Sequence, residues 1–168
     1  MSYDFSADEI LEMAEQIERN GARFYRQMAE NISDEPIRKL LLDFAAMEDD
    51  HEKVFSSMRA DLSDKERETM VFDPAGEASL YLRALADIRV FDKKAEEDFT
   101  PPEELPASEK NIKIFREAIS REKDSIVFYL GMKGLVPENL GREKIDSIIQ
   151  EEMKHIRLLS NKLSSLKV

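Results

Sequence analysis

Residues 36–58 read PIRKLLLDFAAMEDDHEKVFSSM, and residues 145–163 read IDSIIQEEMKHIRLLSNKL. In the first stretch Ile37, Leu40/Leu41, Phe44/Ala45, Val54/Phe55 and Met58 recur at the three-and-four spacing of one helix face. Glu48 follows Phe44 by four residues and His51 precedes Phe55 by four, so both polar groups continue the apolar stripe. The second stretch repeats the arrangement, with Ile148, then Glu152 and His155, then Leu159. A carboxylate and an imidazole on the inner face of a helix need a physical reason.

The two stretches are halves of an internal repeat. Shifted by 104 positions, Glu18 falls on Glu122, Phe24 on Phe128, Tyr25 on Tyr129, Glu48 on Glu152 and His51 on His155. Ile10 meets Ile114, Ala14 meets Ala118, Met28 meets Met132 and Leu41 meets Ile145. Both histidines of the chain fall in the match, each three residues after a glutamate. Glu18 and Glu122 each follow an alanine by four residues, Ala14 and Ala118, and so lie on the stripe of their own segments.

Outward from these segments the periodicity predicts four long helices. The first runs from about Ser6 to Ala29, opened by a Ser6/Glu9 capping box, and carries Ile10, Met13/Ala14, Ile17, Gly21, Phe24 and Met28. The second starts beside Pro36 and reaches about Ala60. The third begins near Ser108, carries Ile112, Phe115, Ala118/Ile119 and Ile126, and ends at Gly131 and Gly134. The fourth starts after Pro137 and continues nearly to Leu166 through Ile145, Ile148/Ile149, Leu158/Leu159 and Leu163. Residues 61–107 form a long crossover, with a short helix opened by Ser63 and Glu66 and ending near Phe72-Asp-Pro74. A second helical stretch covers Ala78 to Phe91, with Leu82, Leu85, Ile88 and Val90 available for packing. The acidic Glu96-Glu-Asp98 and then Pro101, Pro102 and Pro106 break the chain before the third helix. Two hairpins joined by one long crossover make an all-α four-helix bundle, read as a single domain over residues 1–168.

Composition narrows the chemistry. The chain has no cysteine, which excludes disulfides, thiolate metal sites, iron–sulfur clusters and cysteine nucleophiles. The formal charge of −11 opposes binding to nucleic acid or anionic lipid. No apolar run reaches the length of a membrane span and the N-terminus has no signal-peptide layout, so a cytoplasmic location is the expectation.

Four ionised glutamates inside a bundle are tolerable only if paired or bound to cations. Two divalent ions would cancel their charge, and the neutral histidines would add nitrogen ligands. The expected assignment puts Glu48/His51 on one ion and Glu152/His155 on the other. Glu18 and Glu122 complete the set, and Glu48 and Glu152 serve as bridges. Carboxylate and imidazole without thiolate suit iron or manganese, and zinc also binds such sets. Two iron ions best account for a function, since iron cycles between two and three charges. Tyr25 and Tyr129 stand as candidates to bond the carboxylates or to serve as redox neighbours, with ordinary core packing at least an equal alternative. Asp49, Asp50, Glu52 and Glu151 are expected on solvent-facing sides, the methionines as interior or flanking filler, and Gly21 as an aid to close helix packing.

At Ile17-Glu-Arg-Asn-Gly-Ala-Arg-Phe-Tyr25, Glu48-Asp-Asp-His51, Ala118-Ile-Ser-Arg-Glu122 with Phe128-Tyr129, and Glu152-Met-Lys-His155, the sequence resembles the ferritin-like di-iron superfamily, and most closely its rubrerythrin branch. That resemblance implies a ferritin-like bundle, reduction of hydrogen peroxide or oxidation of ferrous iron by dioxygen, and assembly as a homodimer or larger. Rubrerythrins proper carry a cysteine-ligated iron domain, which this chain cannot form, so an external electron donor is expected. They also carry an extra glutamate where this chain has Ser125, so the redox-linked ligand exchange tied to that carboxylate is not carried over. A di-iron peroxidase is the leading reading. A ferroxidase or iron-handling protein, another oxygen-dependent oxidase, and a metal-stabilised interaction protein without turnover are the alternatives.

Overall fold

The computed structural model describes residues 6–68, 77–85, 101, 104–136 and 138–166. Four long helices form the bundle: α1 (Ala7–Glu30), α2 (Glu35–Ala60), α5 (Ala107–Lys133) and α6 (Arg142–Ser165). Two shorter helices, α3 (Asp64–Glu68) and α4 (Glu77–Leu85), belong to the crossover. Packing is heaviest between α1 and α2 and between α5 and α6, which makes each pair an antiparallel hairpin closed by a short connection.

Local chemistry sets the helix ends. Ser6 Oγ accepts from the Glu9 amide at 3.2 Å while the Ser6 amide donates to the Glu9 carboxylate at 2.8 Å, a complete capping box. Asp34 caps α2 by accepting from the Ile37 amide at 2.9 Å, with Pro36 in the first turn where no amide is needed. The fourth helix starts later than the sequence predicts. A 3-10 turn at Glu138–Leu140 and Gly141, with φ of +85°, intervene before Arg142. Gly141 alone permits that left-handed corner without strain.

The third helix runs through Gly131 and ends at Lys133, with Gly134 as its C-cap as the sequence predicts. A Cβ at Gly131 would lie 2.7 Å from the Tyr81 ring, so this glycine lets α4 lie against α5. Leu82 of α4 is fully buried, and the Tyr81 hydroxyl donates to the Val127 carbonyl at 3.2 Å. Ile88, Val90, the Glu96–Asp98 acidic stretch, Pro102 and the expected helix end at Phe72–Pro74 lie outside the described residues.

The core divides into two apolar blocks. One joins Ile10, Met13, Phe55, Met58, Leu82, Phe128, Met132 and Ile145. The other joins Phe24, Met28, Leu41, Phe44, Ile114, Phe115 and Leu159. Burial of a side chain of this size is worth about 1.5–3 kcal/mol, so the blocks supply most of the driving force. Not every apolar position on the predicted stripes is inside, since Leu158 is 42% exposed; Met153, expected as interior or flanking filler, is 47% exposed. Between the blocks lies a layer of charged side chains.

Candidate metal centre

That layer contains all six residues singled out on the sequence stripes. Glu18 from α1, Glu48 and His51 from α2, Glu122 from α5, and Glu152 and His155 from α6 are each at most 5% exposed. The i, i+3 spacing places Glu48 with His51, and Glu152 with His155, on successive turns of one face. His51 Nδ1 lies 2.9 Å from Glu152 Oε1 and 3.5 Å from Glu18 Oε2. His155 Nδ1 lies 2.9 Å from Glu152 Oε2, 3.4 Å from Glu48 Oε1 and 3.5 Å from Glu122 Oε1. The imidazole rings are 5.9 Å apart and nearly parallel, at 20°.

Short distances here do not make satisfied hydrogen bonds. Glu18 Oε2, Glu48 Oε1, both oxygens of Glu152, His51 Nδ1 and both nitrogens of His155 are buried with no hydrogen bond of acceptable geometry. Each such group ordinarily costs about 1–3 kcal/mol, and more when charged. Six of these atoms, all but His155 Nε2, point into one space, which is what a metal site looks like when read from its ligands alone.

The donors sort into two sets, in each of which one ligand atom per residue lies within 4.8 Å of all the others. Glu18, Glu48, His51 and Glu152 make the first; Glu48, Glu122, Glu152 and His155 make the second. Glu48 and Glu152 belong to both, the placement a bridging carboxylate requires. The residues therefore fit a di-metal group: four carboxylates and two imidazoles, shared between two positions.

The electrostatics agree. Burial first, then the charges of Glu122 and Glu48, push the Glu152 carboxyl up to about 8. Glu48 is likewise raised well above its ordinary value by burial and by Glu122 and Glu18. Burial pulls the histidines down, but the surrounding carboxylates outweigh it and push both up to about 12, Glu152 and Glu18 acting on His51 and Glu122 and Glu152 on His155. Without a metal, this much buried negative charge holds on to protons, and divalent cations would displace them.

Two tyrosines brace the layer from across the bundle. The Tyr25 hydroxyl donates to Glu122 Oε1 and the Tyr129 hydroxyl to Glu18 Oε1, each a buried contact between the two hairpins. Burial, then the charge of Glu122 on Tyr25 and of Glu18 on Tyr129, raises both phenols well above 10, so they remain donors. Of the roles open to them in the sequence, the structure shows ring packing, as of Tyr25 on Phe44 at 5.3 Å, together with carboxylate bonding.

Sequence reasoning missed two participants. Gly21 does more than ease helix packing, because a Cβ there would lie 3.1 Å from Glu48 Oε2. Its missing side chain is the space this carboxylate occupies. Glu151, expected to face solvent, is half-exposed, yet its Oε2 is 3.0 Å from His51 Nε2. One acidic residue among 36 carries no mark in the sequence that it backs a histidine on another helix. Asp49 and Glu52 do lie on the outer side, ion-paired to Arg26 and Arg19 of α1, and Asp50 pairs with Lys53.

Comparison with known proteins gives the same picture. The rubrerythrin family matches residues 9–101, a span that holds Glu18, Glu48 and His51. A crystal structure from Thermotoga maritima, described as a ferritin-like diiron-carboxylate protein, superposes with a TM-score of 0.69 at 25% identity, covering 98% of each chain. No curated protein matches the chain. By the family match over more than half its length, the buried Glu/His layer and the ferritin-like bundle, this chain belongs to the rubrerythrin family of the ferritin-like di-iron proteins.

Proposed function

We propose that the protein is a di-iron oxidoreductase that reduces hydrogen peroxide with electrons from an external donor. The observation that carries this reading is the pair of donor sets sharing Glu48 and Glu152, all oxygen and nitrogen, with orphaned atoms facing one another. Glu18 and His51 would hold one ion, Glu122 and His155 the other, and Glu48 and Glu152 both. Two iron ions, if held there, would supply one electron each, which with two protons would convert peroxide to two waters.

The chain's own residues do the rest. Tyr25 and Tyr129 keep Glu122 and Glu18 aimed inward, and their raised proton affinity keeps them as donors while the charge beside them changes. The two apolar blocks exclude water from either end of the layer, which strengthens every charge interaction inside it. With no cysteine in the chain, the electrons that restore the reduced centre come from a separate donor protein or reductant.

The test is anaerobic metal analysis followed by rapid mixing of the reduced protein with peroxide or with dioxygen. Two irons per chain, and oxidation by peroxide much faster than by dioxygen, support the proposal. Oxidation of ferrous iron continuing past two ions per chain would assign iron handling instead. Stable metal binding with neither reaction would leave a structural centre.

A further inference from the structure

The two halves of the repeat are not equivalent around their histidines. His51 Nδ1 faces the carboxylate layer, while its other nitrogen meets Glu151 Oε2 at 3.0 Å. His155 Nδ1 faces the same layer, but its Nε2 is buried with no partner. The repeat position of Glu151 is Met47, a residue with no acceptor able to take an imidazole proton well.

The surroundings differ in the same sense. A cleft of about 600 Å³ between α2 and α6 is lined by His51, Glu151, Lys144 and Ile148 among others. Of the six donors, His51 is the one on its wall. At the repeat positions of Lys144, Ile148 and Glu151 the chain has Leu40, Phe44 and Met47. Phe44 is buried in the apolar core with its ring 4.8 Å from the His155 ring, and Leu40 and Met47 pack half-buried against that core. One side of the centre therefore adjoins an open cleft edged by charged residues, and the other is packed with apolar side chains.

Resting on the di-metal reading above, we infer that the two metal positions are unequal: the Glu18/His51 position is the tighter, first-filled and solvent-reached one, and Glu151 is its positioning residue. A histidine that coordinates through Nδ1 must carry its proton on Nε2. In a low-dielectric site that N–H needs an acceptor. Glu151 supplies a charged one, which fixes the tautomer, holds the ring plane and makes Nδ1 a stronger donor to a cation; such backing is worth about 10–100-fold in metal affinity. His155 has no such acceptor, so its position fills second. The cleft reaches the His51 end of the layer, and its lining does not include His155.

The experiment is a stepwise anaerobic titration of metal-free protein with Co²⁺, followed calorimetrically and by the visible absorption of the bound ion. The wild type should show two separable steps. Glu151→Ala should weaken the first step by about 10–100-fold and leave the second within a few-fold. Glu151→Gln, which keeps an acceptor oxygen without the charge, should recover part of that loss. One equivalent of Co²⁺ should still bind tightly to His155→Ala and not to His51→Ala. Circular dichroism melts of the metal-free variants confirm that each is folded. Two equal steps in the wild type, or a Glu151→Ala effect that is absent or shared equally by both steps, overturns the inference and leaves the di-metal reading standing. A wild-type protein that binds no metal overturns both.

Discussion

Glu152→Gln should stabilise the metal-free protein while removing most of its capacity for metal. Glu152 is fully buried, and neither of its oxygens has a hydrogen bond of good geometry. Burial, with the charges of Glu122 and Glu48, raises its carboxyl from an ordinary 4.5 to about 8. An acid that holds its proton more tightly folded than unfolded lowers stability as pH rises between those two values, and by a constant amount above them. Each pH unit in that window corresponds to about 1.4 kcal/mol, so at pH 7 the penalty approaches about 3 kcal/mol. Because Glu18 and Glu48 share the same protons, the gain from a neutral amide of equal size should fall between about 1 and 3 kcal/mol.

For a chain of this length that is a rise in Tm of about 2–4 °C per kcal/mol. Urea melts in chelator at pH 7 measure it directly, and at pH 5 the advantage should shrink to about 1 kcal/mol or less. Adding ferrous ion without oxygen at 100 times its Kd should then stabilise the wild type by about 2.7 kcal/mol. The variant, missing an oxygen donor common to both sets, should gain little. A variant less stable than wild type in chelator, or one that gains equally from iron, would refute the claim that these carboxylates tolerate burial only because cations neutralise them.

Three further outcomes follow from particular contacts. Gly21→Ala should raise helix stability by up to about 1 kcal/mol in metal-free melts. It should also weaken metal binding measurably, because the new Cβ would sit 3.1 Å from Glu48 Oε2. Tyr129→Phe removes the buried donor to Glu18 and should cost about 1–3 kcal/mol in chemical denaturation of the metal-loaded protein, with two ions still bound by elemental analysis. Asp8 accepts from Arg59 at 3.0 and 2.9 Å and from Arg67 at 2.8 Å, and the Arg59 bonds hold its carboxyl below the ordinary 3.8. The stability it contributes is therefore present above 3.8 and lost as pH falls through the lower folded-state value. Asp8→Asn should cost about 1–2 kcal/mol at pH 7 and nothing once wild-type Asp8 is itself protonated, as acid titration of the two proteins will read.

The inward face of each long helix was legible because a helix repeats every 3.6 residues and its apolar positions must meet a core. Glu48 and His51 announced themselves by interrupting such a face without breaking its spacing, and the repeat carried the same argument to Glu152 and His155. Glu18 and Glu122 were legible through that repeat and through Ala14 and Ala118 one turn earlier. The start of α6 was not, because the chain's path through Leu140 and Gly141 depends on a left-handed corner that Pro137 does not announce. Nor was the place of Gly131, whose vacancy is filled by Tyr81, a residue 50 positions away.

From the residues alone came the helices, their inner faces and the six donors, since each is set by neighbours within one or two turns. Tertiary structure decided how those donors divide into two sets, which tyrosine bonds which glutamate, and that Glu151 meets His51 across 100 residues of chain. It also decided that one side of the layer adjoins an open cleft where the other is packed with apolar side chains. Local periodicity specifies the direction in which a side chain leaves its own helix. What it then meets depends on the rotation and height of a second helix, which no short-range pattern encodes.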